Sequence, residues 1–194
     1  MLHPFSHICS RIRQLLEQQD TVLVAIDGNS TAGKTTLAAR LAEVFSCNVF
    51  HMDEFFLQQH QRTPERLAEA GGNVDYERFR EEILLPLTRG EPVCYRSFDC
   101  QTRSLLPPVA VPHQRLTIVE GTYSCHPFFG NAYDLTIFLS ISPELQRQRV
   151  LLRPEWKHRM FFETWIPMEQ QYFETFAIQK RCELVCSARE ELWD

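Results

Sequence analysis

The chain has 194 residues, 44% of them hydrophobic and 23% charged, a size and composition that suit one well-buried domain spanning 1–194 and are short for two. Its 20 Lys and Arg against 25 Asp and Glu give a formal net charge of −5 without a polybasic tract, so neither nucleic acid nor an anionic membrane is an expected partner. No apolar run approaches membrane-spanning length and the N-terminus does not read as a signal peptide, so a cytoplasmic protein is expected.

Pro4 to Gln19 reads as an amphipathic helix with Phe5, Ile8, Ile12, Leu15 and Leu16 on its apolar stripe. Thr21 to Asp27 is an apolar, β-branched run, the pattern of a buried strand. Gly28-Asn29-Ser30-Thr31-Ala32-Gly33-Lys34-Thr35 follows at once and fits G-x-x-x-x-G-K-[ST], the phosphate-cradling P-loop. Thr35 to Phe45 then carries Leu37, Leu41, Val44 and Phe45 at helical spacing. Strand, Gly-rich turn and helix are the context the motif needs. The turn aims backbone N–H groups at phosphate oxygens, and the helix start adds partial positive charge. Gly28 to Thr36 is therefore the predicted nucleotide-binding segment. Lys34 reaches the β- and γ-phosphates in this reading, and the Thr35 hydroxyl holds Mg²⁺.

Cys47 to Met52 reads as a second strand ending in Asp53-Glu54-Phe55-Phe56. Ligands of parallel α/β sheets bind beyond the carboxyl ends of strands, which places Asp53 near the P-loop mouth. Leu57 to Asn73 is polar and irregular, either a surface loop or an active-site flap. A helix is predicted from Asp75 or Tyr76 to Thr88, with Asp75 as N-cap and Phe79, Ile83, Leu84 and Leu87 apolar. Val93 to Asp99 and Arg103 to Val109 read as two arms of a hairpin or small lobe broken by Pro107-Pro108. Arg115 to Val119 is a third buried strand, followed by Glu120-Gly121-Thr122-Tyr123, a strand ending in an acid. Asp134 to Ser140 is a fourth strand. A helix from Pro143 to about Leu152 carries Arg147 and Arg149, and Arg153, Lys157, His158 and Arg159 extend a basic stretch. Met160 to Phe176 reads as a helix kinked or divided by Pro167, and Leu184 to Ser187 as a short fifth strand. The seven cysteines form no C-x-x-C pair and read as reduced thiols. No structural zinc is expected.

These elements define an α/β protein with a parallel sheet and a P-loop after its first strand, which narrows the class to nucleotide-phosphate proteins. No guanine-reading N-K-x-D is present. Carboxylates after two further strands and arginines late in a short chain are the inventory of a small-molecule kinase. An alcohol gives up its proton reluctantly, so a carboxylate in reach assists its attack on phosphorus, and Asp53 is the candidate base. Thr35 and Glu120 are the candidate Mg²⁺ ligands, with Asp53 able to share the ion. The transferred phosphoryl carries spread negative charge, so Lys34, Mg²⁺ and a lid drawn from Arg147, Arg149, Arg153 and Arg159 would stabilise it.

Six segments between Val22 and Phe176 carry a specific resemblance: the G-N-S-T-A-G-K-T-T loop, D-E-F-F, N-V-D-Y, the F-D-x-x-x-R that ends at Arg103, I-V-E-G-T-Y and W-I-P-M-E-Q-Q-Y. In these the chain resembles the uridine kinase and nicotinamide riboside kinase group of P-loop kinases, within the phosphoribulokinase/uridine kinase family. The resemblance implies a P-loop NTPase fold with a five-stranded parallel sheet of order 2-3-1-4-5 sandwiched by helices, a lid at about 147–160 and a small substrate lobe at about 54–110. It implies ATP and Mg²⁺ as donor and cofactor, a small-molecule hydroxyl facing Asp53, and Asp75 on sugar-type hydroxyls. It also implies Phe56, Phe98 and Tyr123 lining the acceptor pocket. Arg103 and Arg159 are further candidate substrate-binding residues. Some members form homo-oligomers. The hairpin segment Phe98-Asp99-Cys100-Gln101-Thr102-Arg103 lacks the histidine with which uridine kinases read the pyrimidine, so the acceptor stays open. Two other readings stand beside this one. A kinase of a phosphorylated acceptor would draw on Arg62, Arg66, Arg78, Arg80 and Arg103, and a regulator would bind nucleotide without turnover.

Overall fold

The computed structural model describes residues 4–188; the two ends of the expected 1–194 domain lie outside the described residues. Five parallel strands form the sheet: β1 Val22–Gly28, β2 Cys47–His51, β3 Leu116–Glu120, β4 Leu135–Ser140 and β5 Leu184–Ser187. Their spatial order is β2-β3-β1-β4-β5, the order 2-3-1-4-5 that the resemblance implied. The register aligns Ile26 of β1 with Glu120 of β3, and His51 of β2 with the same Glu120. The carboxyl ends of β1, β2 and β3 therefore finish level with one another, and the groups that follow them share one edge of the sheet.

Alternation along the buried strands divides the core in two. Val24, Ile26, Ile118, Ile137 and Leu139 face the helices α1 (Pro4–Gln18) and α2 (Lys34–Val44) and pack with Ile8, Ile12, Leu37 and Leu41. Leu23, Val119 and Phe138 face the other way, against Phe79, Ile83, Leu87, Tyr172 and Phe173. Each such fully buried aliphatic or aromatic side chain contributes about 1.5–3 kcal/mol. Val44, expected on the buried stripe of α2, is instead exposed; the helix ends there, and Phe45 carries the contact under the Arg13 guanidinium.

The second layer uses proline in a way that sequence periodicity does not reveal. A helical run over 76–88 passes through a π-turn at Arg80–Leu84 before Pro86. A run over 155–176 passes through a π-turn at Phe161–Trp165 before Pro167. Proline lacks an N–H and crowds the carbonyl four residues back, and a widened turn ahead of it accommodates both. Pro167 thus neither breaks nor ends the helix, which begins at Glu155 rather than near Met160. Below, α3 denotes Pro143–Leu151 and α4 denotes Ile166–Phe176.

The predicted hairpin is present, with Val93–Tyr95 paired to Val109–Val111 and Phe98–Asp99 to Ser104–Leu105. The segment 57–73 holds a 3-10 turn at Gln59–Gln61 and a short helix at Pro64–Ala68. Arg66 fastens it, forking onto Glu77 with two bonds of 2.6 Å and donating to Gly72 O and Val74 O at 3.0 Å each. All seven cysteines are free thiols. No helix among the described residues is long and apolar enough to cross a membrane.

Candidate active site

The site begins where β1 runs out. Gly28 has φ +135°, and a Cβ there would stand 2.1 Å from Leu139 O on the neighbouring strand. Only glycine lets the chain leave the sheet at this point. Thr31 sits in the left-handed region at φ 63° and Gly33 at φ 100°, and α2 opens at Lys34. Lys34 is buried, and its Nζ donates to Gly28 O at 2.8 Å, Asn29 O at 2.9 Å and Thr122 Oγ1 at 3.2 Å. Thr35 and Thr36 stand exposed on the first turn of α2, while Ala32 is fully buried in the core under the loop.

The carboxylates follow from β2 and β3. Glu120 closes β3, and Gly121 then turns with φ +133° so closely against β2 that a Cβ would lie 2.8 Å from Met52 Cβ. Glu120 Oε1 accepts from Thr35 Oγ1 at 3.1 Å and meets His51 Nδ1 at 2.6 Å. The bond to Glu120 raises the His51 pKa against the opposing effect of burial. Asp53 follows in the 3-10 turn Met52–Glu54 directly after β2 and is exposed. Crowding by surrounding atoms pushes its carboxyl above the ordinary range, Lys34 pulls it back, and Glu120 pushes it up again. A raised carboxyl in electrostatic reach of a lysine is the tuning a general base needs. Thr35, Glu120 and Asp53 offer hard oxygen donors of the kind Mg²⁺ takes. Mg²⁺ is held by one or two carboxylates with substrate phosphates rather than by an all-protein cage, so these residues fit that ion.

Four polar residues escaped the sequence reading. Asp27 is fully buried at the end of β1 and accepts from Gly28 N (2.6 Å), Tyr123 N (3.2 Å), Cys125 N (2.9 Å) and Tyr172 Oη (2.9 Å). Burial pushes its carboxyl up, opposed by the Cys125 and Gly28 amides and by Lys34. His51 braces Glu120. Glu169 and Gln146, both buried, hold Ser30 of the loop. Their partners lie up to 139 residues away in the chain, so no local pattern links them. The signal that was available is a charge on a buried helix face, since Glu169 shares its face with Tyr172 and Phe173.

The residues expected on the acceptor side are more dispersed. Phe56 bridges to Val74 and is half-buried. Phe98 is half-buried on the hairpin strand that packs against Met52–Glu54. Tyr123 is buried at φ 81°, edge-on to Tyr172 at 4.8 Å. Asp75 is 2% exposed and caps its helix, Oδ1 accepting from Arg78 N at 3.1 Å and Oδ2 from Gln61 Nε2 at 2.9 Å. The sequence-predicted cap is therefore present, and the oxygens assigned to sugar hydroxyls are engaged within the protein. Arg103 is exposed at the hairpin tip with φ 53°. Of the lid arginines, Arg149 donates to Thr31 O at 3.0 Å. Arg147 lies over the Phe162 ring at 5.3 Å, Arg153 is exposed, and Arg159 pairs with Glu163 at 2.7 Å on the surface.

No protein-family model matches the chain, and no curated protein matches it by sequence. Solved structures do match. The five-stranded parallel sheet and the loop after its first strand define an α/β P-loop fold, and the structural neighbours with that fold are kinases. A possible uridine kinase from Bacillus stearothermophilus is 22% identical, with 92% of this chain and 98% of that one covered at a TM-score of 0.64. D-glycerate 3-kinase from Cryptococcus neoformans is 11% identical, with 98% and 96% covered at 0.67. Phosphoribulokinase from Rhodobacter spheroides is 12% identical, with 80% and 65% covered at 0.51. At these identities the likeness is one of fold.

Proposed function

We propose that the chain is an ATP- and Mg²⁺-dependent kinase that transfers the γ-phosphoryl to a hydroxyl of a small molecule. The observation that carries this reading is the convergence of Lys34, Thr35, Glu120 and Asp53 at the level carboxyl ends of β1, β2 and β3. Gly28 to Thr36 receives the donor phosphates. Lys34 leaves the loop carbonyls and offers its charge to the phosphoryl in flight. Asp53 accepts the acceptor's hydroxyl proton as the oxygen attacks. Thr35, Glu120 and Asp53 are the residues that would hold Mg²⁺, which supplies charge neutralisation to the phosphates when bound. Arg149, with Arg153, closes over the donor. Phe56, Phe98 and Tyr123 form the apolar part of the acceptor pocket, with Arg103 and Arg159 at its rim. Asp75 acts there through its helix cap and Gln61.

A phosphorylated acceptor is less well supported. Arg66 is spent on Glu77, and Arg78 on Asp75, Glu82, Arg96 O and Glu54 O. Arg80 lies over the Phe128 ring. Only Arg62 and Arg103 of that set point to the exterior without such commitments. The test is ADP formation from Mg-ATP across nucleosides, ribosides, sugars, sugar phosphates and hydroxy acids. Acceptor-dependent ADP with an unphosphorylated member is the expected result. Nucleotide binding with no acceptor-dependent turnover would favour the regulator reading.

A further inference from the structure

Two helices are fastened to the phosphate loop, α3 at Ser30 and Thr31 and α4 at Ser30. From α3, Gln146 Nε2 donates to Ser30 O at 3.1 Å and Arg149 Nη1 to Thr31 O at 3.0 Å. From α4, Glu169 accepts from Ser30 N at 3.0 and 3.2 Å and from Ser30 Oγ at 2.7 Å. Gln146 Nε2 also donates to Glu169 Oε1 at 3.1 Å, which closes the ring of contacts. Glu169 is 2% exposed and Gln146 8%.

A carboxylate that deep costs several kcal/mol of desolvation unless its donors return it. Here burial does push the Glu169 carboxyl up, with Lys34 and the two Ser30 donors opposing. An apolar residue would serve helix packing at lower cost, as Phe173 does on the same face. What the carboxylate adds is a fixed grip on Ser30. The next residue, Thr31, is β-branched and left-handed at φ 63°, a conformation that costs about 1–3 kcal/mol and persists only where its surroundings impose it. The grip on Ser30 and the Arg149 bond to Thr31 impose it from both sides. That turn sets the direction of every loop amide that follows.

We propose that Glu169, bridged by Gln146, is a positioning residue for nucleotide binding: it holds the loop in its phosphate-receiving shape before a nucleoside triphosphate arrives. This rests on the reading of Gly28 to Thr36 as the donor site. A preorganised loop loses less freedom on binding, so the effect belongs in affinity and not in folding alone.

The experiment is calorimetric titration of Mg-ATP and of Mg-ADP into wild type, Glu169→Ala, Glu169→Gln, Gln146→Ala and Ile12→Ala, each with its melting temperature. Ile12 is buried on α1, outside the ring of contacts on Ser30 and Thr31, and its truncation controls for stability. Glu169→Ala is expected to weaken both nucleotides at least about tenfold, the worth of a lost charge-assisted bond. Ile12→Ala should melt lower yet bind within about twofold of wild type. Glu169→Gln keeps an acceptor oxygen for Ser30 and should recover part of the loss, with Gln146→Ala falling between. If Glu169→Ala does not fold, Glu169→Gln and Gln146→Ala decide the matter by the same comparison with Ile12→Ala. Wild-type affinity in the Glu169 and Gln146 variants, or a loss no larger than that of Ile12→Ala, would overturn the proposal. Failure of the wild type to bind either nucleotide would overturn the donor-site reading and this proposal with it.

Discussion

The phosphate loop and the segment at about 54–110, proposed here as the acceptor side, are built on different principles. The loop is shaped by backbone: a glycine that only fits bare against Leu139, a left-handed Thr31, and carbonyls that gather Lys34. The acceptor side is shaped by long side chains reaching across the chain. Arg66 gathers Gly72, Val74 and Glu77, and Arg78 joins Glu54, Asp75, Glu82 and Arg96. It also keeps two buried acceptors without partners, Glu54 Oε2 and Asn73 Oδ1. A buried polar atom left unpaired costs about 1–3 kcal/mol. The difference teaches that one region takes its shape from backbone geometry and the other from a handful of replaceable side chains.

That contrast can be broken most severely on the loop. Lys34→Ala should lower kcat/KM by about 10²–10³, the usual worth of one preorganised charge at a transferring phosphoryl; steady-state kinetics at saturating acceptor will show it. Gly28→Ala should cost at least about 3 kcal/mol, because a positive φ and a backbone clash act together. Urea denaturation measures it, and an unchanged midpoint would mean the strand exit is not as tight as Leu139 implies. On the acceptor side, Arg66→Ala should cost about 2 kcal/mol and raise the acceptor KM while Mg-ATP affinity stays within about twofold. An equal loss of nucleotide affinity would dissolve the distinction between the two regions.

A smaller effect is expected at the seam between them. His126 is buried, stacked on Tyr76 at 4.4 Å and facing Tyr172 at 5.9 Å, and burial lowers its pKa from 6.5 to about 4. A folded value below the unfolded one means that stability is full above about 6.5 and declines as pH falls towards about 4. The ceiling on this contribution is about 3 kcal/mol. His126→Asn should flatten part of the decline in denaturation midpoint between pH 7 and pH 4.5, and an unaltered slope would remove His126 as its source.

Much of the donor wall was legible because its determinants are local. Glycines, lysine and threonine at fixed spacing after a β-branched run leave few alternatives for Gly28 to Thr36. The five strands, the caps at Asp75 and the hairpin arms were legible for the same reason. Long-range partners were not. Glu169 on Ser30, the donors from Tyr123, Cys125 and Tyr172 to Asp27, and His51 on Glu120 are set by sheet order and helix placement, which bring together residues 69 to 145 positions apart. The π-turns before Pro86 and Pro167 were likewise hidden, since periodicity alone reads proline as a break. Asp75 illustrates a mixed outcome: its cap was readable, while the Gln61 contact that takes its second oxygen was not.

The central claim is that Asp53 serves as base beside an intact donor site. The most direct measurement compares wild type with Asp53→Asn for kcat on the best acceptor and, by calorimetry, for Mg-ATP affinity. The account predicts a fall in kcat of at least about 10² with nucleotide affinity within a fewfold of wild type. An unchanged kcat would contradict it.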